Sequence, residues 1–341
     1  MPAVKSGLVL VTGGNGYIAV HLTKYLFEAG FSVRSTVRSE KSVPYLKNLF
    51  KEYESKYELV IVPDITKEGA FDEAVKGVDA VLHTASPFHY HTDDPSEIID
   101  PAVKGTTSIL NSVLKHGQSV RRFVLTSSIA AHMSTSYDSY PVSIDDDSWN
   151  TTSEENIKKL GKEATQTDKY FASKTLAEKA FWEFYGQHKS EVQWDTATIA
   201  FPFAYGPALH EVSSPEKLNQ SLSDFFDAIV KPTKPINYET PSALIDSRDA
   251  AYAHVLALQT EEASGQRFLI VGSGYYWQML KQIARQIDPS LPEGPAFDLA
   301  TAFWPIRAGA AKAQRILGLK LRSVDETVKD SLAYFKEKGW Y

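Results

Sequence analysis

Short runs rich in β-branched residues punctuate the first part of the chain: LVLV at 8–11, VRSTV at 33–37, LVIV at 59–62, AVLH at 80–83, FVLT at 123–126 and TATI at 196–199. Most are nearly all apolar, as strands covered on both faces must be. The second differs, since Val33, Ser35 and Val37 alternate with Arg34, Thr36 and Arg38. Between the runs lie helical patterns; in the first, Ile18, Val20, Leu22, Tyr25 and Leu26 recur along the stretch after Gly16. Strands alternating with helices predict an α/β fold, a Rossmann-type doubly wound parallel sheet.

Beyond Gly206 the rhythm breaks. Pro207, Pro215, Pro232, Pro235 and Pro241 punctuate a long segment that holds one amphipathic stretch at 218–230, and helical patterns return at 248–258, 278–287, 308–317 and 324–338. Proline interrupts both helix and central strand, so this part should form a separate unit. The expected division is a nucleotide-binding domain over 1–206 with a returning segment at about 243–273, and a smaller, interleaved C-terminal substrate lobe built mainly from 207–341.

Composition narrows the function. The chain has 341 residues, 43% hydrophobic and 23% charged, with a formal net charge of -6. That balance is globular, long enough for a large α/β domain with an appended lobe, and it argues against nucleic acid as the main partner. Cysteine is absent, which removes disulfides, thiolate catalysis and cysteine-ligated zinc. The run at 8–11 is too short for a signal sequence or a membrane span, so the reading is a soluble, cytoplasmic protein with no membrane partner. The sequence carries no signature that sets an oligomeric state.

The first strand runs into TGGNGYIA at 12–19. Strand, glycines and helix in this order let backbone amides and a helix N-terminus approach a pyrophosphate, which makes Gly13, Gly14, Asn15, Gly16, Tyr17 and Ile18 cofactor-binding candidates. The spacing, GxxGxxA ending at Ala19, departs from the commoner GxGxxG. An acid near the end of the second strand would bond the ribose 2′-hydroxyl of NAD, yet no Asp or Glu occurs between Glu28 and Glu40. Arg38 and Lys41 stand there instead and suit a 2′-phosphate, so the expected cofactor is NADPH/NADP+. Arg34 reads equally as a ligand or a solvated residue. Asp64, followed by Ile65 after the third strand, reads equally as an adenine contact or a helix N-cap.

Tyr170 and Lys174 lie four residues apart in YFASK, one helical turn, so they share a face. A phenol of pKa near ~10 is a poor proton donor or acceptor at neutral pH, and a neighbouring ammonium favours its phenolate. With TGGNGYIA, HTASPF at 83–88, VLTSS at 124–128, YFASK at 170–174 and IDSRD at 245–249, the chain resembles the extended short-chain dehydrogenase/reductase superfamily, specifically the branch of dihydroflavonol 4-reductase, yeast methylglyoxal reductase and fungal NADPH-dependent aldehyde and ketone reductases.

The resemblance implies a catalytic triad of Ser128, Tyr170 and Lys174, with Ser127 the neighbour that could be mistaken for Ser128. Thr126 and the stretch Thr84, Ala85, Ser86 and Pro87 would line the cofactor, and IDSRD would join lobe to nucleotide domain through Arg248 and Asp249. The implied reaction is reduction of a small-molecule carbonyl, an aldehyde or ketone bearing an apolar or aromatic arm, in a pocket formed by Phe88, Tyr90, Ile129, Met133, Phe201 and Phe203, with Phe225 or Phe226 from the lobe. One stretch departs from the pattern: an Asn-Pro or His-Pro pair is usual before the Gly-Pro, and here Ala200 and Phe201 precede Pro202. His89 and His91 form an HxH pair without a third ligand, so no metal is expected. A nucleotide-sugar epimerase or dehydratase shares this fold and triad but usually holds NAD, which Arg38 disfavours. A non-catalytic NADP sensor commonly loses the tyrosine or lysine, and both are present.

Overall fold

The computed structural model describes residues 3–86, 92–232 and 235–341. In chain order its strands are β1 Leu8–Thr12, β2 Ser32–Val37, β3 Tyr57–Ile61, β4 Ala80–His83, β5 Arg122–Thr126, β6 Val142–Ser143, β7 Asp195–Ala200, β8 Phe203–Tyr205, β9 Ser242–Asp246, β10 Gln266–Leu269, β11 Ser273–Tyr275 and β12 Ile306–Arg307. The α-helices are α1 Tyr17–Glu28, α2 Val43–Leu49, α3 Ser96–His116, α4 Thr152–Leu160, α5 Gln166–His188, α6 Gln220–Ile229, α7 Ser247–Gln259, α8 Trp277–Ile287, α9 Ala311–Leu317 and α10 Val324–Glu337. All six strands expected from the sequence are present, each displaced by no more than two residues at an end.

Seven strands pair in the order β10-β7-β5-β4-β1-β2-β3, every neighbour parallel. The order reverses between β1 and β4, and the crevice at the C-terminal ends of those strands is where this architecture binds ligands. The alternation of side chains across the pleat explains the two covered faces. Leu10, Val81 and Phe123 stand opposite one another on β1, β4 and β5 and pack with Ile109 and Leu110 of α3 and Phe181 of α5. On the other face Val11, Leu82, Val124 and Ala197 form the matching row and join the larger core of α1 and α7. Each fully buried large apolar side chain contributes roughly 1.5–3 kcal/mol to folding.

At the far end of the sheet, Arg122 is fully buried and forms a two-pronged pair with Asp195, Nε–Oδ1 and Nη2–Oδ2 both 2.7 Å, while its Nη1 donates to the carbonyl of Ala257 at 2.7 Å. Such a pair is costly to break, because the surviving charge is left buried and alone. The second unit is smaller. Strands β8, β9 and β11 form a three-stranded sheet, and α6, α8 and α10 pack beside it. A further parallel pair joins β6 to β12. The IDSRD stretch ties these parts together: Asp246 caps α7 by accepting from the Arg248 amide, Arg248 bonds Asp330 of α10 at 2.6 Å, and Asp249 accepts from the Arg322 amide at 2.6 Å.

Candidate active site

A cleft of about 1330 Å³ opens at the C-terminal ends of the sheet strands and runs from Arg38 past Ser128 to Trp304. Its first half is built by the turn after β1. Gly13 has φ +66, a left-handed conformation that an L side chain resists, and its amide donates to Thr36 Oγ1 at 3.1 Å. Gly14 passes so near β2 that a Cβ would come within 2.5 Å of Ser35 Cβ. Gly16 then opens α1 with no side-chain cap and no acid in the first turn, leaving the amide end of the helix for an anion.

Gly13, Asn15, Gly16, Tyr17 and Ile18 line the cleft, whereas Gly14 stands behind it and acts through the Thr36 carbonyl, 2.7 Å from its amide. The Tyr17 hydroxyl faces away and donates to the Gly206 carbonyl at 2.8 Å, so its ring alone serves the wall. Arg38 is exposed and lines the cleft, flanked by Ser39 and Ser42. Lys41 is exposed and lies outside the lining. Arg34 is committed elsewhere: it bonds Glu58 at 2.6 Å and the carbonyls of Ala74 and Lys76 at 2.9 and 2.7 Å. Asp64 and Ile65 line the cleft, and Asp64 Oδ1 accepts from the amide and hydroxyl of Thr66, which holds its carboxyl below the usual range. Asp64 therefore caps a turn, since no helix follows it. The Arg38 cation at the end of β2, the open helix terminus and the glycine cradle fit a dinucleotide carrying a 2′-phosphate.

A second loop is fixed by one hydroxyl. Thr12 Oγ1 accepts from the amides of Thr84 and Ala85 at 3.1 and 3.0 Å and donates to His83 Nδ1 at 2.8 Å. Burial lowers the His83 pKa to about 3, so the ring stays neutral. Thr84, Ala85 and Ser86 thereby face the cleft. Thr126 also lines it, with its hydroxyl bonded to His254 at 2.7 Å.

The second half of the cleft gathers Ser128, Tyr170 and Lys174. Helix α5 presents Tyr170 and Lys174 on one side, with Lys174 Nζ 5.5 Å from the Tyr170 ring centroid and 2.8 Å from Ser86 Oγ. Burial pulls the Lys174 pKa down to about 8. Adjacent serines differ sharply. Ser127 Oγ donates to the buried Glu178 at 2.5 Å, whereas Ser128 Oγ, among the described residues, accepts a single backbone bond, from Ala130 at 3.2 Å.

Glu178 anchors a network that the sequence reading did not single out, taking further bonds from Trp182 Nε1, Thr198 Oγ1 and Arg267 Nε at 3.1, 3.1 and 2.8 Å. Burial opposes its ionisation, but Arg267 and His132 hold its carboxyl below the usual range. His132, one residue past the short helical turn after Ser128, is buried between Arg267 and the Asp145 carbonyl, and burial lowers its pKa to about 4. The spacing of Glu178, four residues beyond Lys174 on the same helix, was the available signal.

Ile129, Met133, Phe201 and Phe203 line the far wall. Phe201 is held by its own carbonyl, which accepts from the Ile129 amide at 3.0 Å. The pocket place offered to Phe225 and Phe226 is corrected to a core one: both are buried beside Phe335, because α6 turns its apolar face inward. Phe88, Tyr90, Pro87 and the His89–His91 pair lie outside the described residues. Among the described residues there is no cluster able to hold a metal ion, and no helix is long and apolar enough to cross a membrane.

Sheet order, glycine turn and the Ser-Tyr-Lys constellation define a Rossmann oxidoreductase of the extended short-chain type. The family model described as 3-beta hydroxysteroid dehydrogenase/isomerase matches residues 10–281, and the chain belongs to that family. It is 33% identical to a ketoreductase of Aspergillus niger over 97% of this chain and 98% of the relative. It is 30% identical to an NADPH-dependent methylglyoxal reductase of Saccharomyces cerevisiae over 95% and 96%. Its structure resembles that of yeast methylglyoxal/isovaleraldehyde reductase complexed with NADPH, with a TM-score of 0.86 at 29% identity, covering 98% of this chain and all of the other.

Proposed function

We propose that this protein is an NADPH-dependent carbonyl reductase in which Tyr170 donates the proton, acting on aldehydes and ketones with an apolar or aromatic arm. The observation that carries the reading is the convergence of Ser128, Tyr170 and Lys174 in one cleft with the glycine turn and Arg38. NADPH, when bound, supplies the hydride to the carbonyl carbon. Ser128 then holds the carbonyl oxygen by donating its hydroxyl hydrogen, which its one backbone contact leaves available. Tyr170 passes its phenolic proton to the oxygen as negative charge develops there. Lys174 lies beside the phenol as a cation, favouring the phenolate that remains, and offers a donor to the nicotinamide ribose. The apolar side chains of Ile129, Met133, Phe171, Phe201 and Phe203 exclude water and receive the substrate's arm.

Cofactor choice tests the binding half. A charge-assisted contact between Arg38 and the 2′-phosphate is worth ~1.5–3 kcal/mol, or roughly 10- to 150-fold. kcat/KM with NADPH should exceed that with NADH by about this factor, and Arg38→Ala should erase most of the difference. Equal values in the wild type would overturn the assignment.

A further inference from the structure

Trp304 reaches the same cleft from a segment distant in sequence, and its backbone is clamped on both sides. Tyr276 Oη donates to the Phe303 carbonyl at 2.6 Å, and the Val142 amide donates to the Pro305 carbonyl at 2.8 Å. The indole meets the Tyr276 ring edge-on with centroids 5.2 Å apart. Beneath it lies Gly274 in β11, so close that a Cβ there would stand 2.6 Å from Cζ3 and 2.8 Å from Cε3 of the indole. Gly274 does not have a positive φ, so its backbone would accept alanine. What requires glycine here is the indole itself, since a glycine inside a strand commonly marks a close approach. Both residues line the cleft that holds Ser128 and Tyr170.

We infer that Trp304, seated on Gly274, is a specificity-determining residue: the stop that limits how long an apolar arm the carbonyl substrate can carry. The inference rests on the carbonyl-reductase reading of the cleft. The backbone is held at both neighbouring carbonyls and the indole packs against Gly274 and the Tyr276 ring, so it yields less readily than a flexible side chain would, and the arm either ends short of it or stacks on its face. Removing the ring lengthens the pocket; lifting it off β11 with a methyl group shortens it. Changes of this kind at a pocket wall discriminate substrates by about 10- to 200-fold.

The test compares a short linear ketone with its phenyl-extended counterpart, in kcat/KM with NADPH and in affinity for the enzyme–NADP+ complex. Trp304→Ala should raise the ratio of extended to short ketone at least about tenfold, with Trp304→Phe intermediate and serving if the alanine variant does not fold. Gly274→Ala should lower the ratio, and should have no effect in the Trp304→Ala background. An unchanged ratio in the single variants, or a Gly274→Ala effect that persists without the indole, would overturn the inference. The affinity comparison needs no turnover. A wild type that binds ketones but oxidises no NADPH would therefore count against the catalytic reading alone, with the role of Trp304 still decided by the affinity ratios.

Discussion

Ser127 and Ser128 are neighbours with the same side chain and both line the cleft, yet only the Ser127 hydroxyl is bonded to a buried carboxylate. Glu178 takes the Ser127 hydroxyl, and in return the backbone of the segment is held while Ser128 faces the cleft. The family resemblance implied Ser128, and the bond from Ser127 to Glu178 is the feature of the structure that separates the two serines. Lys174 gives a pH prediction. Its folded pKa is lowered by burial from 10.5 to about 8, so in the free enzyme it is a cation below about pH 8 and neutral above. A rate that needs the cation should fall as pH rises through about 8, seen in kcat/KM for the carbonyl. For stability the sign is opposite: the unfolded chain binds the extra proton between the two values, so burying this group costs less as pH rises across that window. A kcat/KM flat from neutral pH to well above 8 would contradict the role given to Lys174. Tyr170 and Lys174 were legible because a helix imposes their spacing. Arg34 was not, since its partners Glu58 and Ala74 come from other elements.

Helix α5 carries Tyr170, Lys174 and Glu178 at successive turns, and the β1–α1 turn carries the cofactor face, so two elements set most of the site. The second depends on Gly14. Alanine there would place a methyl group against Ser35 and force β1 and β2 apart, an overpacking change that costs roughly 1–3 kcal/mol. Gly14→Ala should lower the thermal midpoint and weaken NADPH binding at least about tenfold, as calorimetry and cofactor titration would show; unchanged values in both would mean the turn has slack. At this scale the long elements could be read from periodicity: α7, α8 and α10 begin within one residue of the expected starts. The short ones could not. Strands β6 and β12 are two residues each and exist only because distant segments pair, so they leave no period in the sequence, and Trp304 was missed with them.

Across the whole molecule, the parallel sheet places its order reversal beneath the glycine turn, and the smaller sheet of β8, β9 and β11 brings Phe203, Ser242 and Gly274 to the opposite lip of the same cleft. Residues of both halves line the cleft. Strand β10 returns from beyond β9 to the edge of the large sheet, so the two parts of the chain interleave. In the proposed reaction, this arrangement brings one proton donor, Tyr170, to a carbonyl facing NADPH. Replacing Tyr170 by phenylalanine removes that proton and keeps the ring. The decisive measurement is NADPH oxidation by a reducible ketone in Tyr170→Phe, beside NADPH binding followed by thermal shift in the same variant. The account predicts a rate lower by ~10²–10⁴ with the cofactor-induced shift kept. A near-normal kcat in that variant would contradict it.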